Sequence, residues 1–209
     1  MSTPVFRVAA GLITAAVAFG AHAQSPSYAV VASGLEAPRG LKFGPDGVLY
    51  VAEAGVGGTT DVTTAKECLQ VPPPVGPYTG SNTGRISKIV GGKVVRVASG
   101  FPSGQNAGGD LLGVADIAFL NGHLYALVAG GGCSHGHSNP QHVYMVAQVD
   151  LNNGQWQRYA NLSAFYTTHT TKFENKGDLE VDGTPYSMIA HNGELVVVEA
   201  NHGEIDAIT

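Results

Sequence analysis

The sequence predicts an all-β chain of the β-propeller kind, here an incomplete ring of about three blades, and three observations carry that expectation. First, one stretch is written three times, as GVLYVAEA at residues 47–54, GHLYALVA at 122–129 and GELVVVEA at 193–200. Second, each copy opens at an Asp-Gly or Asn-Gly pair and is preceded by a further strand signal, GLKF at 40–43, DIAF at 116–119 and SMIA at 187–190. Strand, Asx-Gly turn, strand is a hairpin, because Asp or Asn followed by Gly supplies the positive backbone angles that right-handed strand twist demands. Third, the hairpin glycines Gly47, Gly122 and Gly193 are spaced 75 and 71 residues apart. That period has room for a four-stranded sheet carrying insertions.

Each unit then reads inner strand, hairpin, second strand, long loop, third strand, short turn, outer strand. Third strands are expected at 84–89, 142–149 and 203–208, and the turns Gly91-Gly92 and Asn152-Asn153-Gly154 lead into outer strands at 94–101 and 157–162. Residues 28–35 (YAVVASGL) nearly copy residues 94–101 (VVRVASGF), so they read as an outer strand leading into the first inner strand. The long loops 55–83 and 130–141 share one face of the disc, where binding is expected. A third insertion, 163–184, lies between an outer strand and the next inner strand, and its connection decides whether it reaches that face. Thr209 falls inside a third-strand signal, so residues 24–209 are expected to be a partial propeller domain, the amino-terminal blades of a longer protein with unpaired sheet edges.

Residues 1–23 read as a signal peptide: Arg7 gives the charge near the start, residues 8–20 are uncharged and largely apolar, and Ala21-His22-Ala23 is a small-x-small cleavage signal. The apolar run is shorter than the ~20 helical residues that span a bilayer. A mature chain beginning near Gln24, without a transmembrane segment and exported to the periplasm or beyond, is the expectation. With 11 Lys and Arg against 16 Asp and Glu, the chain carries a net charge of −5, which gives no electrostatic draw toward nucleic acid or an anionic membrane. Cys68 and Cys133 sit in matching places after the second strand of their units. In an oxidising compartment they form either one disulfide or two separate thiols.

From about Tyr28 onward the residues resemble the ScyD/ScyE family of secreted proteins, close to NHL-type six-bladed propellers. The resemblance rests on Ala37-Pro38-Arg39-Gly40-Leu41, PDGVLYVAE at 45–53, Gly84-Arg85-Ile86-Ser87, Gly109-Asp110-Leu111-Leu112-Gly113, Asp182-Gly183-Thr184-Pro185-Tyr186 and VEANHG at 198–203. It implies a signal peptide and a propeller, and it supplies no established reaction. Related propellers include metal-dependent lactonases and quinone-dependent sugar dehydrogenases, in which carboxylates from several blades hold one cation.

Aligning the units on their hairpin glycines sets Arg39 with Ala115 and Tyr186, Gly40 with Asp116 and Ser187, and Glu53 with Val128 and Glu199. Arg39, Glu53, Asp116, Tyr186 and Glu199 are therefore the polar candidates for a ligand site, with calcium as the cofactor to consider, at the mouth of the channel. The competing reading pairs Arg39 with a carboxylate and uses the others in hydrogen bonds between blades. Cys133, His135, His137 and His142 form the densest group of soft ligands, but they lack the second fixed pair of a structural zinc site and read as an exposed Gly-His-Ser loop. Asp178-Leu179-Glu180-Val181-Asp182-Gly183 echoes a calcium loop only faintly, with Ile189 where the bidentate Glu belongs, and reads as an acid-rich turn. His191 and His202 read as structural or exposed, and Asn161-Leu162-Ser163 matches a glycosylation acceptor. No complete catalytic constellation is present, which favours a secreted binding scaffold for a small-molecule or protein ligand over a metal-dependent propeller enzyme.

Overall fold

Asx-Gly chemistry sets the local structure. Asn121 and Gly122 take φ of 51° and 80°, and Asn192 and Gly193 take 50° and 87°, the two positive angles of a tight hairpin turn. The first hairpin is longer: Gly44 N–H donates to Val48 O at 2.8 Å around Pro45-Asp46-Gly47, with Gly47 at φ 73°. Pro45 fits there because its ring fixes the angle that the first central position of the turn needs.

These turns join antiparallel strands throughout a computed structural model that describes residues 27–169, 171, 180 and 182–209. Residues 1–23, where a signal peptide is expected, lie outside the described residues, as do Asp178, Leu179 and Val181 of the expected acid-rich turn. The first sheet runs β1 (Pro38–Phe43), β2 (Leu49–Glu53), β3 (Thr79–Val90), β4 (Lys93–Gln105) and β5 (Leu111–Leu112). The second runs β6 (Val114–Leu120), β7 (His123–Val128), β8 (Met145–Val149) and β9 (Trp156–Asn161), and the third β10 (Pro185–His191), β11 (Glu194–Glu199) and β12 (Glu204–Ile208). Among the described residues the structure is all-β apart from a 3-10 turn (Cys133–His135) and one short helix, α1 (Leu162–Thr168), which Asn161 caps by accepting from Ala164 N–H at 3.0 Å. Among the described residues no helix is long and apolar enough to cross a membrane.

Residues 31–209 form one compact unit, and its core follows from strand alternation. One face of the first sheet, with Tyr50, Ala52 and Ile86, packs on Ile117, Leu124, Ala126 and Met145 of the second. The other face of the second, with Ala118, Tyr125, Leu127 and Val146, packs on Met188, Leu195 and Val197 of the third. The inner strands β1, β6 and β10 are neighbours in that order.

Three expectations change. β3 begins at Thr79 rather than residue 84, because β3 and β4 run on past the sheet core into the loop layer, where Asp61 and Gly80 form a further bridge. Glycine is required at residue 80, since a Cβ there would lie 2.9 Å from Gly136 O. Residues 28–35 are in no strand: they read as the outer strand of a sheet preceding β1, and the described residues offer them no such partner. The 163–184 insertion opens as helix, which period-2 reading could not anticipate.

Candidate ligand site at the inner-strand bulges

The same irregularity occurs at the start of all three inner strands. Pro38 pairs with Glu53 and Leu41 with Val51; Val114 pairs with Val128 and Asp116 with Leu127; Pro185 pairs with Glu199 and Ser187 with Val198. Each inner strand thus carries one extra residue at this point, a β-bulge, and a bulge re-aims the side chains beside it. The bulged positions hold Arg39 with Gly40, then Ala115, then Tyr186, and all of them line one cavity of about 350 Å3. Leu112, Gly113, Asp116, Ala129, Thr184, Pro185 and Ser187 complete its wall.

Asp116 ties the three sheets together beneath that cavity. Its carboxylate accepts from Ser187 Oγ at 3.0 Å and Met188 N–H at 2.9 Å on β10, and Lys42 Nζ of β1 stands 3.6 Å away. Gly40 is required opposite it, because a Cβ there would come within 2.1 Å of Asp116 Oδ1. Arg39 is exposed and donates from Nη2 to Leu111 O, and the Tyr186 ring is 56% exposed. Asp116 being occupied, Arg39 sets the charge that the cavity offers to a ligand.

Glu53 and Glu199 do not join this site. Both are fully buried. Glu53 accepts from Glu36 N–H and Ser87 Oγ at 2.5 Å and from Arg85 Nε at 3.3 Å. Glu199 accepts from the N–H groups of Thr184 at 2.5 Å, Asn201 at 3.1 Å and His202. In the first and third units the carboxylate closing the second strand captures an N–H of the segment entering the inner strand, so these two side chains seal the sheet end instead of facing the cavity. The signal for this lay in the repeat itself, Glu-Ala at both 53–54 and 199–200.

His135 and His137 are buried, not exposed, and their burial is tertiary, while His142 is half-buried and residues 138–141 are exposed. Cys68 and Cys133 form a disulfide that joins the long loops of the first and second sheets, and Ser138 N–H and Oγ donate to Asp61 at 2.9 and 2.8 Å. His135 lies at zero exposure with the Tyr78 ring 4.1 Å away between centroids. Its Nε2 is 3.2 Å from Glu180 Oε2, its Nδ1 is 3.0 Å from Ser134 Oγ, and the Tyr144 hydroxyl lies against the ring. Ser134 Oγ also reaches Asp182 Oδ1 at 2.8 Å, and Thr184 Oγ1 donates to Glu180. The end of the 163–184 insertion therefore does meet the long-loop face. Burial, with the neighbouring His137, pushes His135 down to about 3, so it is a neutral imidazole held beside Glu180. Burial first, then His142, also lowers His137, whose Nε2 lies 3.2 Å from Ser103 O. His202, likewise buried, places Nε2 3.2 Å from Glu180 O, and this corrects any exposed reading.

Among the described residues, no three His, Cys, Asp or Glu side chains are grouped as metal ligands. A wider depression of about 690 Å3 at the hairpin end of the second sheet is lined by His123, Asp150 and Trp156, with no convergence of elements from other sheets. The class the geometry defines is an all-β protein whose antiparallel sheets bring equivalent bulges to one cavity. Comparison with protein-family models, curated proteins and solved structures found no match to this chain.

Proposed function

We propose that the chain is an exported β-propeller scaffold of the ScyD/ScyE type that binds a small anionic molecule at the inner-strand bulges. One observation supports this above others: three sheets place their single bulge around one cavity, which a purely structural repeat does not need. Arg39 supplies the cationic donor and Tyr186 an aromatic wall, a pair suited to a carboxylate carried on a planar or ring-shaped body. Three antiparallel sheets, each opening on a bulged inner strand and its hairpin, support the propeller reading, and disulfide formation between Cys68 and Cys133 supports an oxidising compartment.

The metal-dependent enzyme reading loses support from the same geometry. Glu53, Asp116 and Glu199 are each enclosed by their own donors, at separate places in the fold.

A thermal-shift screen against small carboxylates such as benzoate, glucuronate and citrate tests the proposal. A ligand at 100 times its Kd stabilises by about 2.7 kcal/mol, several degrees for a domain of this size. Arg39→Ala should abolish that shift while leaving the unliganded midpoint within about 1 °C, since Arg39 is a surface side chain. A shift that survives in Arg39→Ala places the ligand elsewhere.

A further inference from the structure

In the loop layer Asp61, from the segment joining β2 to β3, meets His137 and His142, from the segment joining β7 to β8. His137 is buried, its Nδ1 is enclosed without a hydrogen bond, and that nitrogen stands 4.0 Å from Asp61 Oδ2. His142 holds a second enclosed nitrogen without a partner, again Nδ1. The two rings lie 5.4 Å apart between centroids, and the Asp61 charge acts on both. Enclosed polar atoms are ordinarily paired, so two open imidazole nitrogens beside one carboxylate point to a group that joins them.

The rest of each side chain is fixed as a ligand's is. His137 Nε2 lies 3.2 Å from Ser103 O and so carries the proton, while Gly130 O faces the ring without bonding Nδ1, whose lone pair is left for a cation. Asp61 accepts from Ser138 Oγ on one oxygen and Ser138 N–H on the other, which leaves each oxygen a further lone pair. The Asp61 backbone is pinned by its bridge to Gly80, where a Cβ would come within 3.1 Å of the His137 ring. His142 is pinned through its N–H to Asn139 O and its O to Gly132 N–H. Its Nε2 is 3.2 Å from Asn139 Nδ2, and Asn139 Oδ1 accepts from Gln141 N–H. Both of those residues are exposed, so the amide rotates to accept from Nε2–H while Gln141 N–H turns to water, and Nδ1 is freed to ligate.

We infer that Asp61, His137 and His142 bind one divalent transition-metal ion between the two long loops. Two imidazole nitrogens with a carboxylate oxygen suit such an ion, and Cys133 is withdrawn from it by the disulfide. At 4.0 Å the carboxylate stands wider than the ~3.3 Å between ligand atoms of a tetrahedral zinc site. The metal-free donors therefore form no closed group, and the ion draws them together. His137 and His142 also line a cavity of about 690 Å3 bounded by α1, which leaves the fourth position open to water or an incoming ligand. The site uses neither the anion cavity nor the number of sheets, so it stands or falls apart from the proposed function.

Calorimetric titration of the untagged, chelator-stripped chain with zinc chloride tests this, with elemental analysis of the dialysed product for stoichiometry. The expected result is about one zinc per chain, with a Kd of about 10 µM or tighter. His142→Gln and Asp61→Asn should each weaken uptake about tenfold or more. Asp61→Asn keeps an acceptor for Ser138, and unchanged circular dichroism confirms that both variants fold. His123→Gln and His191→Gln, at exposed positions away from the loop layer, should leave uptake unchanged. No saturable uptake up to about 1 mM zinc overturns the inference. Uptake that either His142→Gln or Asp61→Asn leaves unchanged, or that His123→Gln or His191→Gln weakens equally, overturns it as well, because the ion then sits on other side chains.

Discussion

Asp116 is the side chain on which the three inner strands depend. It is buried, and its partners Ser187 and Met188 have no substitute acceptor of comparable charge. Asp116→Ala should therefore destabilise the chain by about 2–4 kcal/mol, read from urea unfolding, because the buried N–H groups of Ile117 and Met188 lose their acceptor beside Lys42. The buried His135 and His137 and the half-buried His142 set a pH dependence. His135, His137 and His142 all have folded-state values below the ordinary 6.5, so the unfolded chain takes up protons first as pH falls. Their contribution is complete above about pH 6.5 and is lost toward pH 3, at about 1.4 kcal/mol per pH unit for each histidine protonated only in the unfolded chain. Asp182 and Asp206, raised chiefly by burial, act in the opposite sense from pH 3.8 upward and are fewer. Denaturant midpoints should fall between pH 6.5 and 4, and a flat profile there would contradict a neutral buried cluster. At this scale the sequence was partly misleading. Gly-His-Ser composition reads as solvent-facing loop, and partners distant in sequence, Cys68, Tyr78 and Glu180, bury its first half together with the nearby Tyr144.

Hairpins were the most legible elements, since Asn121-Gly122 and Asn192-Gly193 fix turn type and register without help from the rest of the chain. Gly47 carries the same role in a longer turn. The bulges were not legible: an extra residue in a strand shows only in the pairing, although aligning Arg39 with Ala115 and Tyr186 already set the right residues side by side. The same alignment misplaced Glu53 and Glu199, because it gives the position along a strand and not the donors that capture a side chain there. The matched placing of Cys68 and Cys133 marked the tie between the long loops, but left open whether it forms. That tie closes 65 residues of sequence separation, and loop-closure entropy makes it worth about 4 kcal/mol in the unfolded-state account. The Cys68→Ser, Cys133→Ser double variant should lose about 2–4 kcal/mol in the same unfolding assay. Hydrogen exchange should quicken first in residues 130–141, because these rely on the loop layer for burial. Equal quickening of β6 to β8 would instead assign the disulfide to the sheet core.

Across the described residues, the repeated bulged hairpin and the sheet built on it account for both the stability and the site. Each sheet buries one face on its neighbour, the inner strands meet through Asp116, and the bulges open a cavity at the end where the long loops gather. The central claim is that this cavity binds a small anion through Arg39 and Tyr186. The most direct test is a two-dimensional amide NMR titration of the purified chain with the carboxylate that gives the largest thermal shift, or with benzoate up to 10 mM (~10 mM being the limit of weak specific binding) if none does. Saturable shifts concentrated at Arg39, Gly40, Ala115, Tyr186 and Ser187, and absent in Arg39→Ala, are the predicted result. No saturable shift, or shifts centred on the hairpin turns or the histidine loop, would contradict it.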